Sequence, residues 1–205
     1  MKLSILILTH NRPKLFTRCL ESVLTQLTDD VEVIVNNDSN DITEITHSQV
    51  TYHYNKFNSL CEVYKFLLEQ AQGEYVYYLE DDDYLLPDFV QTLEFETDMI
   101  VGNYFPTYET KDKLVLPRIY KEDYLRPDEF LAQLNEEHLQ LSQHVFKRQT
   151  ILDFNFANDS NIHNDIMLAK HAALNSHYIT TTGKIFYCQT IDGGDNISFP
   201  KHGLQ

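Results

Sequence analysis

The chain has 205 residues, 42% of them apolar, which suffices for one sizeable core and fits a single globular domain. Its 16 basic and 31 acidic residues give a formal charge of −15, a balance that would repel a phosphate backbone and excludes nucleic acid as a favoured partner. Three cysteines without Cys-x-x-Cys spacing cannot all pair, and no apolar stretch approaches about eighteen residues, so a soluble, reducing, cytoplasmic setting without a transmembrane segment or signal peptide is expected.

"LSILILT" (Leu3 to Thr9) is a continuous apolar run of the kind a strand buried on both faces shows. "NRP" after it offers a cap residue and places Pro13 at a first helical position. Leu15, Phe16, Cys19, Leu20, Val23, Leu24 and Leu27 then form a stripe at the helical period. "VEVIV" (Val31 to Val35) is the next strand, followed by the turn chemistry of "NNDSND". A weaker strand, Thr51 to Tyr54, precedes a helix from about Ser59 to Gln72, with Gly73 as its stop. "EYVYYL" is the fourth strand, and Glu80, Asp81, Asp82 and Asp83 stand at its carboxyl end. After Gly102 an aromatic-, proline- and charge-rich stretch without clear period reads as an irregular excursion over the crevice. A helix from about Asp128 to Leu134, a strand near Gln143 to Lys147, a helix from Asn164 to Asn175, and strands His177 to Thr181 and Lys184 to Gln189 complete the expected order.

This alternation argues for an α/β fold with a parallel sheet wrapped by helices on both faces. Such sheets bind ligands at the carboxyl ends of their strands, near the point where strand order reverses. "THNR", "NNDSND" and "EDDDY" all fall at that edge, so three separate loops converge on one crevice. Four adjacent carboxylates repel one another, and the crowding must be relieved by water, by cationic side chains or by a metal ion.

The strand ending in "THNR", the second ending in "NNDSND", the third ending in "YYLEDDDYLLP" and a later "HND" opening a helix together resemble glycosyltransferase family 2, over roughly residues 3 to 175. The resemblance implies the GT-A fold, a Rossmann-like mostly parallel sheet with an acceptor-side C-terminal elaboration. It also implies sugar transfer from a nucleotide diphosphate donor to an acceptor hydroxyl, mostly with inversion and with Mn²⁺ or Mg²⁺. On that pattern residues 1–102 form the nucleotide-sugar-binding half and 103–205 the acceptor-binding half of one domain. The chain is also compatible with being one domain of a longer protein.

Matching Leu85, Leu86 and Pro87 to the family pattern places Asp82, with Asp83 beside it, at the metal, and Glu80 or Asp81 at the donor ribose. A divalent ion bridging a diphosphate stabilises the leaving-group charge, and hard oxygen ligands suit Mg²⁺ or Mn²⁺. The alternative is an acidic cap on a helix starting near Pro87. Thr9, His10, Asn11 and Arg12 resemble the first nucleotide-contacting loop. Asn36, Asn37 and Asp38 stand where the family has two acids, one of which accepts the uracil imide proton, and an amide carbonyl can still accept it. The alternative there is a turn in which Asp38 or Ser39 caps a short helix through Ile45.

The family's late Glu-Asp pair corresponds to Asn164-Asp165, which makes Asp165 the expected general base, with Asp159 as competitor. His163 and His202 are weaker candidates for metal or phosphate contact, and Tyr104, Tyr108 and Tyr120 are either sugar-stacking or packing residues. The expected partners are a UDP-sugar and a glycan or other hydroxyl acceptor. A sugar nucleotidyltransferase is disfavoured because no glycine precedes Gly73, and a noncatalytic binder of nucleotide sugars or glycans remains the alternative because Asn36, Asn37 and Asn164 replace acids.

Overall fold

The computed structural model describes residues 1–40, 44–108, 120–134, 140–156 and 164–191. Among the described residues nine strands form one sheet in the order β3-β2-β1-β4-β8-β6-β9-β5, with β7 also pairing β9. The strands are β1 (Leu3–Thr9), β2 (Val31–Asn37), β3 (Val50–His53), β4 (Tyr75–Glu80), β5 (Tyr84–Leu85), β6 (Met99–Tyr108), β7 (Asp123–Leu125), β8 (His144–Lys147) and β9 (Ile179–Ile191). β1, β2, β3 and β4 run parallel; the apolar runs of β1, β2 and β4 are buried on both faces, and β3 is a partly exposed edge strand. β8 is antiparallel to β4 and to β6, and β5 and β7 are antiparallel to β9, so the sheet is mixed rather than wholly parallel.

Helices cover both faces. Helix α1 (Pro13–Leu24) buries Phe16, Cys19, Leu20 and Val23 against one face, with Ile5, Ile7, Val33 and Tyr77. Helix α2 (Leu60–Gln70), α3 (Pro127–Gln133) and α4 (Asn164–Leu174) cover the other, where Leu67, Leu68, Phe130, Leu168 and Ala172 meet Leu6, Ile34 and Tyr78. At roughly 1.5–3 kcal/mol for each large apolar side chain fully buried, these two layers dominate the stabilisation of the fold.

Several boundaries differ from expectation for physical reasons. Ser59 caps α2 by accepting the Glu62 N–H, but the helix ends at Gln70, and Gly73 is no helix stop. A Cβ there would lie 2.6 Å from the Ser4 backbone nitrogen and 2.7 Å from the Tyr75 carbonyl, so Gly73 lets the chain pass against β1. No helix begins at Pro87; the chain makes β5 and then a 3-10 turn at Val90–Thr92. The stretch beyond Gly102 is strand β6 as far as Tyr108. The two expected closing strands are one, β9, whose register against β6 slips between Val101↔Thr181 and Asn103↔Ile185, leaving the Gly183 region as a bulge.

Candidate active site

β1, β2 and β4 lie side by side and end at Thr9, Asn37 and Glu80, so the three polar loops meet at one sheet edge. The chain turns outward from β1 to β2 and β3 and then returns to place β4 on the other side of β1, which makes β1/β4 the switch point.

Arg12 is the N-cap residue of α1, yet its side chain makes no cap. Its Nη1 donates to Oδ1 of Asp81 and to Oδ2 of Asp82, both at 3.0 Å, and the arginine side chain is only 17% exposed. Asn11 adopts a left-handed φ of 53°, a region asparagine tolerates better than most residues. Its backbone N–H donates to Ser39 Oγ at 2.7 Å, and its Oδ1 accepts the Asn40 N–H at 3.0 Å. His10 Nδ1 sits 2.6 Å from Asp38 Oδ1. The first and second loops are thus laced together by their own polar groups.

The second loop is a turn built by its own amides. Asn36 is fully buried, and its side chain donates to the Asn55 carbonyl at 3.0 Å while accepting the Asn55 N–H at 3.2 Å. Asn37 Oδ1 accepts the Ser39 N–H at 3.0 Å, an Asx turn that leaves Asp38 pointing toward His10. Residues 41–43 lie outside the described residues, and 44–47 are not helical.

Each acid of the third loop has its own environment. Glu80 Oε1 accepts the Tyr64 hydroxyl of α2 at 2.9 Å. Burial first, then the like charges of Asp165 and Asp82, push the Glu80 carboxyl up to about 8. Burial pushes Asp81 up to about 6 against the pull of Arg12, the Thr9 hydroxyl and the His10 backbone. Asp82 is also raised by burial, with Arg12 opposing. Asp83 turns into the protein, where Oδ1 accepts the Thr190 N–H at 2.8 Å; burial and the neighbouring Asp82 charge raise its carboxyl well above the usual range. The acids do not cap a helix. Their crowding is relieved by a guanidinium, by hydrogen bonds and by raised proton affinity.

Asp165 opens α4, and its charge acts on both Glu80 and Tyr64, so the late helix brings its acid to the same crevice. Burial lifts the Asp165 carboxyl to about 6. Asp159, His163 and His202 lie outside the described residues, as do the side chains of Asn164 and Tyr108. Tyr104 is buried and stacks on Tyr187, and Tyr120 stacks on Phe130, so both serve packing.

Sequence reasoning missed three members of the site. Arg18 of α1 donates from Nη2 to the Asp82 carbonyl at 2.6 Å and to Thr190 Oγ1 at 2.7 Å, and lies over the Tyr84 ring at 4.9 Å. Tyr64 falls inside the expected helix Ser59 to Gln72, and Thr190 lies one residue beyond the expected strand Lys184 to Gln189. The only available signal was a second arginine on the helix leaving the first loop. A groove of about 410 Å³ lies elsewhere, lined by Arg126, Pro127, Leu131, Leu174 and Tyr178 at the start of β9, and holds none of these acids.

A family model described as glycosyl transferase family 2 matches residues 4–153. The chain is 26% identical over 124 residues to Glycosyltransferase GlyA of Streptococcus pneumoniae serotype 4, covering 54% of this chain and 18% of that protein. It is 28% identical over 122 residues to EpsH of Bacillus subtilis, also named as a glycosyltransferase, covering 54% of this chain and 36% of that protein. The chain therefore spans about a third or less of these relatives. Among solved structures, Staphylococcus aureus TarS residues 1–349 in complex with UDP-GlcNAc superposes with a TM-score of 0.73 at 18% identity, over 98% of this chain and 61% of that one. That likeness is one of fold, and it extends past the matched segment to the last strands. With the family model matching most of its length, the chain belongs to glycosyl transferase family 2.

Proposed function

We propose that the chain carries the catalytic domain of a metal-dependent, inverting glycosyltransferase that takes a sugar from a nucleotide diphosphate donor, a UDP-sugar by preference, to an acceptor hydroxyl on a glycan. The observation that carries this reading is the convergence of Arg12, the acidic turn and Asp165 on one switch-point crevice. The relatives named as glycosyltransferases support the reaction class, and the UDP-GlcNAc bound by TarS supports the nucleotide.

The residues fit a divalent cation with few protein ligands. No three His, Cys, Asp or Glu side chains converge as a metal cage among the described residues. Asp81 Oδ2 is buried without a hydrogen-bond partner among them, and Asp82 beside it is only 7% exposed. Mg²⁺ and Mn²⁺ accept such a site because they keep positions for phosphate and water. In this reading Asp82 would hold the ion while Asp83 braces the turn through Thr190, and the ion would supply electrostatic stabilisation of the departing diphosphate. Glu80 and Asp81 face the ribose, and Asn37 and Asp38, with Thr9, His10 and Asn11, face the base. Asn36 fixes the loop that presents them.

Asp165 accepts the acceptor hydroxyl proton as that oxygen attacks the anomeric carbon, and the carbon–oxygen bond to the diphosphate breaks in the same displacement. Residues 103–205 would supply the acceptor side. Calorimetry with UDP, GDP and dTDP in Mn²⁺ or chelator tests the proposal. UDP is expected to bind tightest and to need Mn²⁺, and Asp82→Ala to lose the metal-dependent part of its affinity while staying folded through the remaining Arg12–Asp81 pair. Equal UDP affinity with metal and with chelator would remove the metal from the proposal. The noncatalytic reading draws on the full engagement of Asn36 with Asn55, and donor turnover with an acceptor separates the two.

A further inference from the structure

We infer that Arg12 is an internal counter-ion that holds the cation position of the acidic turn until nucleotide and metal arrive together, so that the two bind cooperatively and the metal alone binds weakly. This rests on the metal-dependent reading above. One nitrogen, Nη1, bridges Asp81 Oδ1 and Asp82 Oδ2 at 3.0 Å each, with side-chain exposures of 17%, 6% and 10% for Arg12, Asp81 and Asp82. Charges so far withdrawn from water are held by their partners, because removing either partner leaves an uncompensated buried charge. Arg12 is the N-cap residue directly ahead of Pro13, which restricts its backbone, so an exchange of partners falls to its side chain.

A divalent ion reaching Asp82 without a nucleotide must displace the guanidinium from that carboxylate and brings no anionic replacement for it. A nucleoside diphosphate changes the balance, since its phosphate oxygens are a fork-matching anionic partner for an arginine displaced from a carboxylate. Metal and nucleotide then each lower the cost of binding the other, and linkage makes the coupling reciprocal. Arg18 stays behind on the Asp82 carbonyl and Thr190, so the turn keeps its shape while its cation is exchanged.

The test is Mn²⁺ titration, read by the electron paramagnetic resonance of free Mn²⁺, with and without UDP, for wild type, Arg12→Gln and Arg12→Lys. Arg12→Gln is expected to bind Mn²⁺ alone about tenfold or more tightly than wild type, the size of a lost charge-assisted hydrogen bond, and to lose most of the effect of UDP on Mn²⁺. Arg12→Lys keeps the charge and should hold Mn²⁺ as weakly as wild type. If Arg12→Gln folds and binds Mn²⁺ no tighter than wild type, the inference is wrong while the metal site stands. If wild type binds no Mn²⁺ even with UDP, both the metal reading and the inference fail. Thermal melts of the wild type give a check free of folding defects: Mn²⁺ alone should leave the melting temperature unchanged and Mn²⁺ with UDP should raise it. Equal stabilisation by Mn²⁺ alone would overturn the counter-ion role.

Discussion

Asp165 combines burial, which lifts its carboxyl to about 6, with a place beside the acidic turn. A general base must be ionised, so transfer should fall as pH drops through about 6 and level off above it. Asp165→Asn should keep donor binding but cut turnover by roughly 10²–10⁴-fold, because the amide preserves shape and cannot take the proton. Wild-type turnover in that variant, measured first as donor hydrolysis and then as transfer, would move the role elsewhere. Asn36 shows why a family motif can mislead at a single residue. Restoring the family acid with Asn36→Asp would remove the donor to the Asn55 carbonyl and set a buried carboxylate against it. A loss of roughly 2–4 kcal/mol of stability is expected in urea unfolding, not a gain in nucleotide affinity.

At the level of elements, the parallel half was legible because strands buried on both faces read as unbroken apolar runs, and β1, β2 and β4 all do. β6 was not, since Gly102 and Pro106 break the run and its polar end resembles a loop. Gly73 was read as a helix stop, but the close passage of β1 that requires it is a tertiary fact. Gly73→Ala should therefore cost roughly 1–3 kcal/mol, because the obstacles are backbone atoms that cannot swing away. His144, which opens β8, is buried, and desolvation pushes its imidazole down to about 4. Its folded value lies below the unfolded 6.5, so the unfolded chain binds the extra proton between them, and this residue's contribution to stability falls as pH drops from about 6.5 to 4. The raised carboxyls of Glu80 and Asp81 act in the opposite sense, so the comparison that isolates His144 is wild type against His144→Phe. The variant's deficit in unfolding free energy should shrink by up to roughly 3 kcal/mol across that window.

Across the whole molecule, the readable part of the site is the part close in sequence to its motifs: Arg12, the acids and Asp38 each lie within a strand-end loop. Arg18, Tyr64 and Thr190 were invisible because they reach the acids only through folding, as the separation of 107 positions between Asp83 and Thr190 shows. That long closure also fixes an order of events. The Arg18 to Thr190 contact spans 172 positions, and chain closures of that length form slowly compared with neighbouring strand pairs. During synthesis β1, β2, β3 and β4 can pair while β9 is still inside the ribosome, so the acidic turn must wait, unbraced, for the last strand. In pulsed hydrogen exchange on the refolding chain, the Thr190 and Leu86 amides, which donate to Asp83 and to the Phe186 carbonyl, should become protected after those of Ile5 and Val33, and simultaneous protection would show that the turn is made without β9. The nascent protein would then hold its parallel sheet before its acidic turn is braced, and the crowded carboxylates would stay loosely placed until β9 is added.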